Sequence, residues 1–232
     1  GRIYACARNW DRLCDNAKHY GIHGCRNAKE VTEKSDIVIV AVKPYLVEEV
    51  LIPILDTLKG KAVISVAVNF PFERYEEFLL PDTHHLSTLP NTPVAVGEGI
   101  ILFEEKHSLT EEELRNVKEL FSAMGMVETV DGKHLKAAGT ISGCGPAFTA
   151  MFIEALSDGA VLHGLPRELS YKLASQMVAG TGKLQLATGH HPGIMKDGVC
   201  SPGGTTIAGV AAMEREGFRS AVIDAVDAVM KR

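Results

Sequence analysis

The stretch Ser35-Asp36-Ile37-Val38-Ile39-Val40-Ala41-Val42-Lys43-Pro44 decides the fold class. Ile37 to Val42 is an unbroken, mostly β-branched apolar run, the pattern of a parallel strand buried on both faces. Pro44 then opens a helix, with Leu46, Val47, Val50, Leu51 and Ile54 at helical spacing. The same alternation extends both ways. Upstream, residues 2–7 read as a short strand, and Asn9 as the cap of a helix that reaches Tyr20 and stops at Gly21. Downstream, residues 62–68 form a second β-branched strand, 72–80 a short helix and 84–89 a further strand. Two more strands, 99–104 and 126–130, flank a helix over 110–124 that begins with the capping box Thr110-Glu111-Glu112-Glu113. Strands alternating with helices predict a parallel, doubly wound α/β sheet.

Past about His134 the grammar changes to helices separated by Gly and Pro. Pro146 starts one that Gly164 stops, and Pro166 starts another that ends near Gly189. Ser201-Pro202 supplies a cap and a first-turn proline before a helix over 207–216. Gly217 breaks it, and 218–231 is the last. The boundary is set between 1–132 and 133–232. Met151, Phe152, Ala155, Leu156, Ala160, Leu173, Met177 and Val178 are plentiful for this much helix. A buried dimer face and an ordinary core are the two readings.

The 232 residues carry 24 Lys plus Arg against 29 Asp plus Glu, a net charge of -5. That near-balance argues against nucleic acid or anionic membrane as a partner. The longest purely apolar run is about six residues, far short of the roughly 20 that span a bilayer. The N-terminal residues have no secretory h-region. Five scattered cysteines, Cys6, Cys14, Cys25, Cys144 and Cys200, with no Cys-x-x-Cys pair, read as free thiols in the cytoplasm. Cys14, His19, His23 and Cys25 match no zinc template, so no metal is expected. The pairs His84-His85 and His190-His191 read as surface loop histidines.

Three stretches carry chemistry. In Cys200-Ser201-Pro202-Gly203-Gly204-Thr205-Thr206-Ile207, two glycines precede a helix start, and Ser201, Thr205 and Thr206 add hydroxyls. Unpaired N–H groups at the positive end of a helix make a receptor for carboxylate or phosphate. A plain capped helix with a Gly-rich lead-in is the other reading. Thr140-Ile141-Ser142-Gly143-Cys144-Gly145-Pro146-Ala147 reads as a Gly-rich turn entering a helix. Leu89-Pro90-Asn91-Thr92-Pro93-Val94 follows a strand, and ligands of doubly wound sheets lie beyond the carboxyl ends of strands.

The block 201–207, preceded by His191-Pro192-Gly193 and Lys196-Asp197, resembles the signature of the pyrroline-5-carboxylate reductase family. Other blocks fall in that family's order: Ala41-Val42-Lys43-Pro44, Pro90-Asn91-Thr92-Pro93, Val96-Gly97-Glu98-Gly99, 141–147 and Gly217-Phe218-Arg219. The resemblance covers nearly the whole chain. It implies reduction of the cyclic imine 1-pyrroline-5-carboxylate to L-proline with NAD(P)H, the last step of proline biosynthesis. It also implies a Rossmann-like domain followed by an all-helical domain that interlocks with a second copy, a homodimer that often builds larger rings. Ser201, Gly203, Gly204 and Thr205 would hold the substrate carboxylate and imine nitrogen, with Thr205 as the catalytic hydroxyl. Ala7, Arg8, Asn9, Val42, Lys43, Pro44, Ala67, Val68, Pro90 and Asn91 would line the dinucleotide.

The chain departs from the family pattern in two of its motifs. Cys144 stands where the family usually has Ser, and Val68-Asn69-Phe70 where Ala-Gly-Val is common. Arg8 follows the first strand at the ribose position. A guanidinium there suits a 2′-phosphate, so NADP is favoured, with NAD as the alternative. No Gly-x-Gly-x-x-Gly occurs at a strand-to-helix junction, so the first βα unit of the Rossmann-like sheet is expected to be missing. Competing readings are another NAD(P)-dependent imine or hydroxy-acid oxidoreductase, with Lys172 or Lys183 as acid or base, and a non-catalytic metabolite-binding paralogue.

Overall fold

The computed structural model describes residues 3–68 and 70–232; Arg2 of the expected first strand and Asn69 lie outside the described residues. β1 (Tyr4–Ala5) is followed by α1 (Trp10–Tyr20), whose Asn9 cap accepts the Arg12 N–H at 3.0 Å. Two short elements absent from the expectation come next, β2 (His23–Gly24), paired in parallel with β1, and α2 (Ala28–Glu33). Their brevity hides them, since neither is long enough to show a period.

β3 (Ile37–Val40) is the strand of the opening stretch, but it is not buried on both faces: it stands at the edge of its sheet among the described residues, with Val38 and Val40 buried and Ile39 48% exposed. The helix expected after Pro44 is instead segmented: a 3₁₀ turn Pro44–Leu46, α3 (Val47–Leu51), a 3₁₀ turn Ile52–Ile54 and α4 (Leu55–Leu58). Pro53 has no N–H to give and breaks the α-helical ladder. β4 (Ala62–Ser65) is shorter than expected, because the Ala67 N–H turns back to Ser65 Oγ at 3.1 Å. α5 (Phe72–Glu76) likewise stops early. β5 (His84–Pro90), β6 (Gly99–Glu104), α6 (Glu111–Ser122) and β7 (Gly125–Val130) follow, and α6 carries the full capping box.

The five strands run in the order β3-β4-β5-β6-β7. All pairs are parallel except β5 with β6, which is antiparallel. The all-parallel expectation is corrected there. The link 91–98 turns the chain back with a short 3₁₀ segment, Thr92–Val96, and holds no crossover helix. One face of the sheet packs Val38, Val40, Val63, Leu51 and Leu58 together. Another cluster joins Ile64, Leu86, Ile101 and Phe103 to Val117 and Phe121 of α6. Each such side chain contributes about 1.5–3 kcal/mol by leaving water.

His84 and His85 are not loop histidines. They lie in β5 and point to opposite faces, His84 to Glu113 at 2.7 Å and His85, 1% exposed, to Glu76 at 2.7 Å. Burial between Phe72 and Tyr75 holds the His85 pKa below the usual histidine range.

α7 (Leu135–Gly139) leads into a π-helical turn, Thr140–Cys144, and then α8 (Gly145–Leu162). The Gly-rich turn expected here is therefore a wide helical turn. Pro146 sits in the first turn of α8, where its missing N–H costs nothing. α9 (Arg167–Thr188), α10 (Pro192–Gly198), α11 (Thr205–Arg215) and α12 (Phe218–Met230) complete the chain. By its internal contacts the chain divides into two compact units, Gly1–Gly143 and Cys144–Arg232. In the second unit, Ala174 is the only apolar residue that is buried among the described residues, and it is still 9% exposed.

Candidate functional site

In the first unit, the parallel run β3-β4-β5 places residues 42–44, 67–68 and 90–91 at the same end of the sheet, beyond three carboxyl termini. That is where a doubly wound sheet receives a dinucleotide. Lys43 is exposed, extended backbone at the head of the Pro44 turn. Val68 is 55% exposed and Tyr45 80% exposed, an apolar surface left open at strand ends. Ala67 is buried, its N–H committed to Ser65. Asn91 uses its amide at both ends: Oδ1 accepts from Ile100 N–H at 2.9 Å and Nδ2 donates to the Ser142 carbonyl at 3.0 Å. Its side chain therefore ties the end of β5 to the π turn.

Ala7, Arg8 and Asn9 follow β1 and are all exposed. The sequence reading missed Arg26, which follows β2 and stacks on the Trp10 ring with its guanidinium carbon 3.6 Å from the centroid. Two guanidinium groups thus stand just past the carboxyl ends of adjacent parallel strands. The signal for Arg26 was invisible without β2.

Behind the strand ends lies a cavity of about 350 Å³ lined by Ala67, Phe70, Pro71, Ser87, Leu89, Glu104, Leu135 and Lys136. Glu104 is its buried acid, 5% exposed, and accepts the Phe72 N–H at 3.1 Å. Desolvation pushes its pKa above the usual carboxyl range, against the opposing bonds from Phe72 and Ser87. A raised folded-state pKa means the folded chain holds this proton more tightly than the unfolded chain. The resulting stabilisation is complete below the ordinary carboxyl pKa and is lost as pH rises through the raised value. Glu104→Gln keeps an oxygen for Phe72 and cannot ionise. We expect it to raise Tm at pH 8 by about 2–4 °C, the shift for roughly 1 kcal/mol in a chain of this size, with no gain at pH 4. Thermal scans at the two pH values check this, and an equal shift at both would remove ionisation as the cause.

In the second unit, the segment before α11 has a different start from the one expected. Ser201 and Pro202 are not the cap and first residue of the helix. They begin a tight turn in which Gly204 N–H donates to the Ser201 carbonyl at 3.0 Å, with Pro202 and Gly203 at its corners. Gly203 has φ 67°, the left-handed value the third residue of a type II turn needs. Gly204 is the actual cap, and a Cβ on it would fall 2.4 Å from Ser201 Oγ. No side chain caps α11, so its first-turn N–H groups face outward beside the exposed hydroxyls of Ser201, Thr205 and Thr206. The turn brings all four predicted substrate residues, Ser201, Gly203, Gly204 and Thr205, to one helix end. The preceding α10 is closed by His191, whose Nδ1 accepts the Gly193 N–H at 3.0 Å. Cys144 is half-buried at the last position of the π turn.

The same unit carries an apolar groove of about 660 Å³ lined by Phe148, Met151, Phe152, Val178, Phe218 and Val222 among others. Among the described residues, no helix is long and apolar enough to cross a membrane.

Residues 132–232 match the family model for pyrroline-5-carboxylate reductase dimerisation, an oligomerisation domain, and residues 1–69 match the model for NADP oxidoreductase coenzyme F420-dependent. The pyrroline-5-carboxylate reductase of Treponema pallidum is 41% identical over 233 aligned residues, covering 99% of this chain and 88% of the relative. Among solved structures, the pyrroline-5-carboxylate reductase of Coxiella burnetii superposes with TM-score 0.90 at 27% identity, covering 100% of this chain and 87% of that one. The pyrroline carboxylate reductase of Plasmodium falciparum with NADP bound gives TM-score 0.85 at 29% identity, covering 98% and 84%. A glycine turn with an uncapped helix start at α11, exposed apolar surface at the carboxyl ends of a Rossmann-like sheet and a relationship that runs the length of the chain converge, and the chain belongs to the pyrroline-5-carboxylate reductase family.

Proposed function

We propose that this protein reduces 1-pyrroline-5-carboxylate to L-proline with NADPH, the last step of proline biosynthesis, in the cytoplasm. The observation that carries the reading is the turn Ser201-Pro202-Gly203-Gly204 and the uncapped first turn of α11. The substrate is a small anion with an imine, and it needs an anion nest with a hydroxyl beside it. The backbone N–H groups and Ser201 take the carboxylate, and Thr205 Oγ1 stands at the imine nitrogen. NADPH, when bound, supplies the hydride to the imine carbon, and the nitrogen takes a proton. No strong acid of the chain is required, because the imine is basic enough to take its proton before or during transfer. The protein contributes orientation.

Residues 1–132 serve the dinucleotide, with Ala7, Arg8 and Asn9 toward the adenosine and Val42, Lys43, Pro44, Ala67, Val68, Pro90 and Asn91 along the strand ends. Arg8 and the stacked Arg26 favour NADPH over NADH through a 2′-phosphate. Residues 133–232 hold the substrate and join two copies into a homodimer, which can build a larger ring. The test is NADPH oxidation with 1-pyrroline-5-carboxylate, repeated with NADH and with a panel of 2-hydroxy acids as the reverse reaction. Turnover of the cyclic imine with preference for NADPH is expected. Activity on hydroxy acids with none on the imine would overturn the reading.

A further inference from the structure

Ser65 closes β4 as a fully buried polar residue, 1% exposed, in a strand whose other residues are Ala62, Val63 and Ile64. Three hydrogen bonds converge on it, and a fourth holds the residue after it. Its Oγ accepts from Tyr75 Oη at 2.6 Å and from the Ala67 N–H at 3.1 Å. Its carbonyl accepts from Thr88 Oγ1 at 2.8 Å, and the next residue, Val66, donates its N–H to the Val40 carbonyl at 3.1 Å. Tyr75 and Thr88 are each 1% exposed. Nothing in this knot reaches solvent, so it binds no ligand itself. What it controls is the path of the chain as it leaves the strand, since the Ala67 N–H is pulled back onto Ser65 and Val68 is thereby turned outward, 55% exposed.

The geometry points to Ser65 and Tyr75 as positioning residues for the dinucleotide, acting through the backbone of Ala67 and Val68. This rests on the proposal that Ala67 and Val68 line the dinucleotide. Buried hydrogen bonds of this kind favour one backbone arrangement, and small displacements of a group that orients a reactant carry a large kinetic effect. A phenol suits this role, because burial pushes the Tyr75 pKa up to about 12 and keeps it a neutral donor at every working pH. Tyr75 reaches Ser65 from α5, which lies just past the loop that follows β4. The loop between them is thus tied at both ends, by Ala67 to Ser65 and by Phe72 to Glu104.

Steady-state kinetics of the whole protein separate positioning from plain stability. Tyr75→Phe keeps the ring and removes one hydroxyl; Ser65→Ala removes the shared acceptor. Tyr75→Phe is expected to raise KM and Kd for NADPH by about 2–12-fold, the worth of one hydrogen bond, and Ser65→Ala, which removes two, by more, with KM for the cyclic imine within about twofold of the parent in both. Assays run well below each variant's Tm, and Tyr75→Phe conserves shape if Ser65→Ala fails to fold. An unchanged NADPH KM in Tyr75→Phe, or an equal rise for both substrates, overturns the inference. Val68→Glu, an exposed change that costs little in folding, tests the underlying reading by placing a negative charge where the dinucleotide would lie. If Val68→Glu weakens NADPH and Tyr75→Phe does not, positioning alone is wrong. If Val68→Glu leaves NADPH binding unchanged, the lining assignment is wrong and the inference falls with it.

Discussion

Thr205→Ala is expected to lower kcat/KM for 1-pyrroline-5-carboxylate by about ten- to a thousandfold, the loss that follows removal of one or two hydrogen bonds to a charged or charging group. Thr205 is the first residue of α11, and Gly204 before it has no side chain, so the Thr205 hydroxyl is not engaged in capping. It is exposed in the chain, so its removal leaves no cavity and no buried donor unsatisfied. The folding cost is therefore small and the kinetic loss is attributable to the reaction. Thr205→Ser keeps the oxygen and should recover most of the rate. If the hydroxyl acts only once the nitrogen gains charge, kcat and kcat/KM fall together. A rise in KM with kcat intact would assign Thr205 to ground-state binding. An unchanged kcat/KM would remove it from the mechanism.

Much of this site was legible because its determinants are local. Gly203 occupies a left-handed position that a Pro-Gly turn demands, so Pro202-Gly203-Gly204 announces a close backbone approach in any fold. Asn9 and Thr110 begin helices as their side chains dictate. The run from Ile37 is a strand as its β-branched residues require, but it stands at the edge of the five-stranded sheet with Ile39 48% exposed, a position set by tertiary pairing and not by the run itself. The misses are of another kind. The start of α11 depended on a turn whose closing bond joins Ser201 to Gly204, and a Ser-Pro pair mimics a cap equally well. The π turn at Thr140–Cys144 has no signature of its own, since Gly143 and Gly145 look like a loop until the neighbouring helices are known. His85 and Ser65 are polar residues that long-range partners make buried: Glu76 comes from α5, and Ser65 is joined by Tyr75 and Thr88. Tertiary pairing of that sort cannot be read from spacing. The reversal of β6 was hidden for the same reason, because a strand's direction is set by the length and course of the link before it.

Met151→Glu is expected to convert the protein from a stable dimer to a monomer at micromolar concentration. The helical unit does not bury its own apolar surface. Met151 is 70% exposed, Leu162 83%, Leu186 72% and Ile223 66%, while Phe148, Phe152, Phe218 and Val222 line an open groove beside Met151. Apolar surface on this scale marks an interaction site. The family match over residues 132–232 is to a dimerisation domain, and a second copy of the same helices is the occupant with matching character. Because Met151 is exposed in the single chain, a carboxylate there costs little in folding. Its cost falls on association, where the charge would be buried without a counter-ion, an effect of several kcal/mol and so at least a hundredfold in the dimer constant. Sedimentation of Met151→Glu should show monomer where the parent shows dimer, and its Tm should lose the concentration dependence that an obligate interface confers. Leu120→Glu, an equally drastic change on exposed α6 of the first unit, should leave the dimer intact. If Met151→Glu remains dimeric with an unchanged constant, this groove is not the interface. If Leu120→Glu dissociates the protein instead, the copies meet through the sheet unit. Activity distinguishes one further point: the proposed anion nest precedes α11, whose Met213 also lines the groove. Loss of the partner should therefore weaken substrate binding along with association.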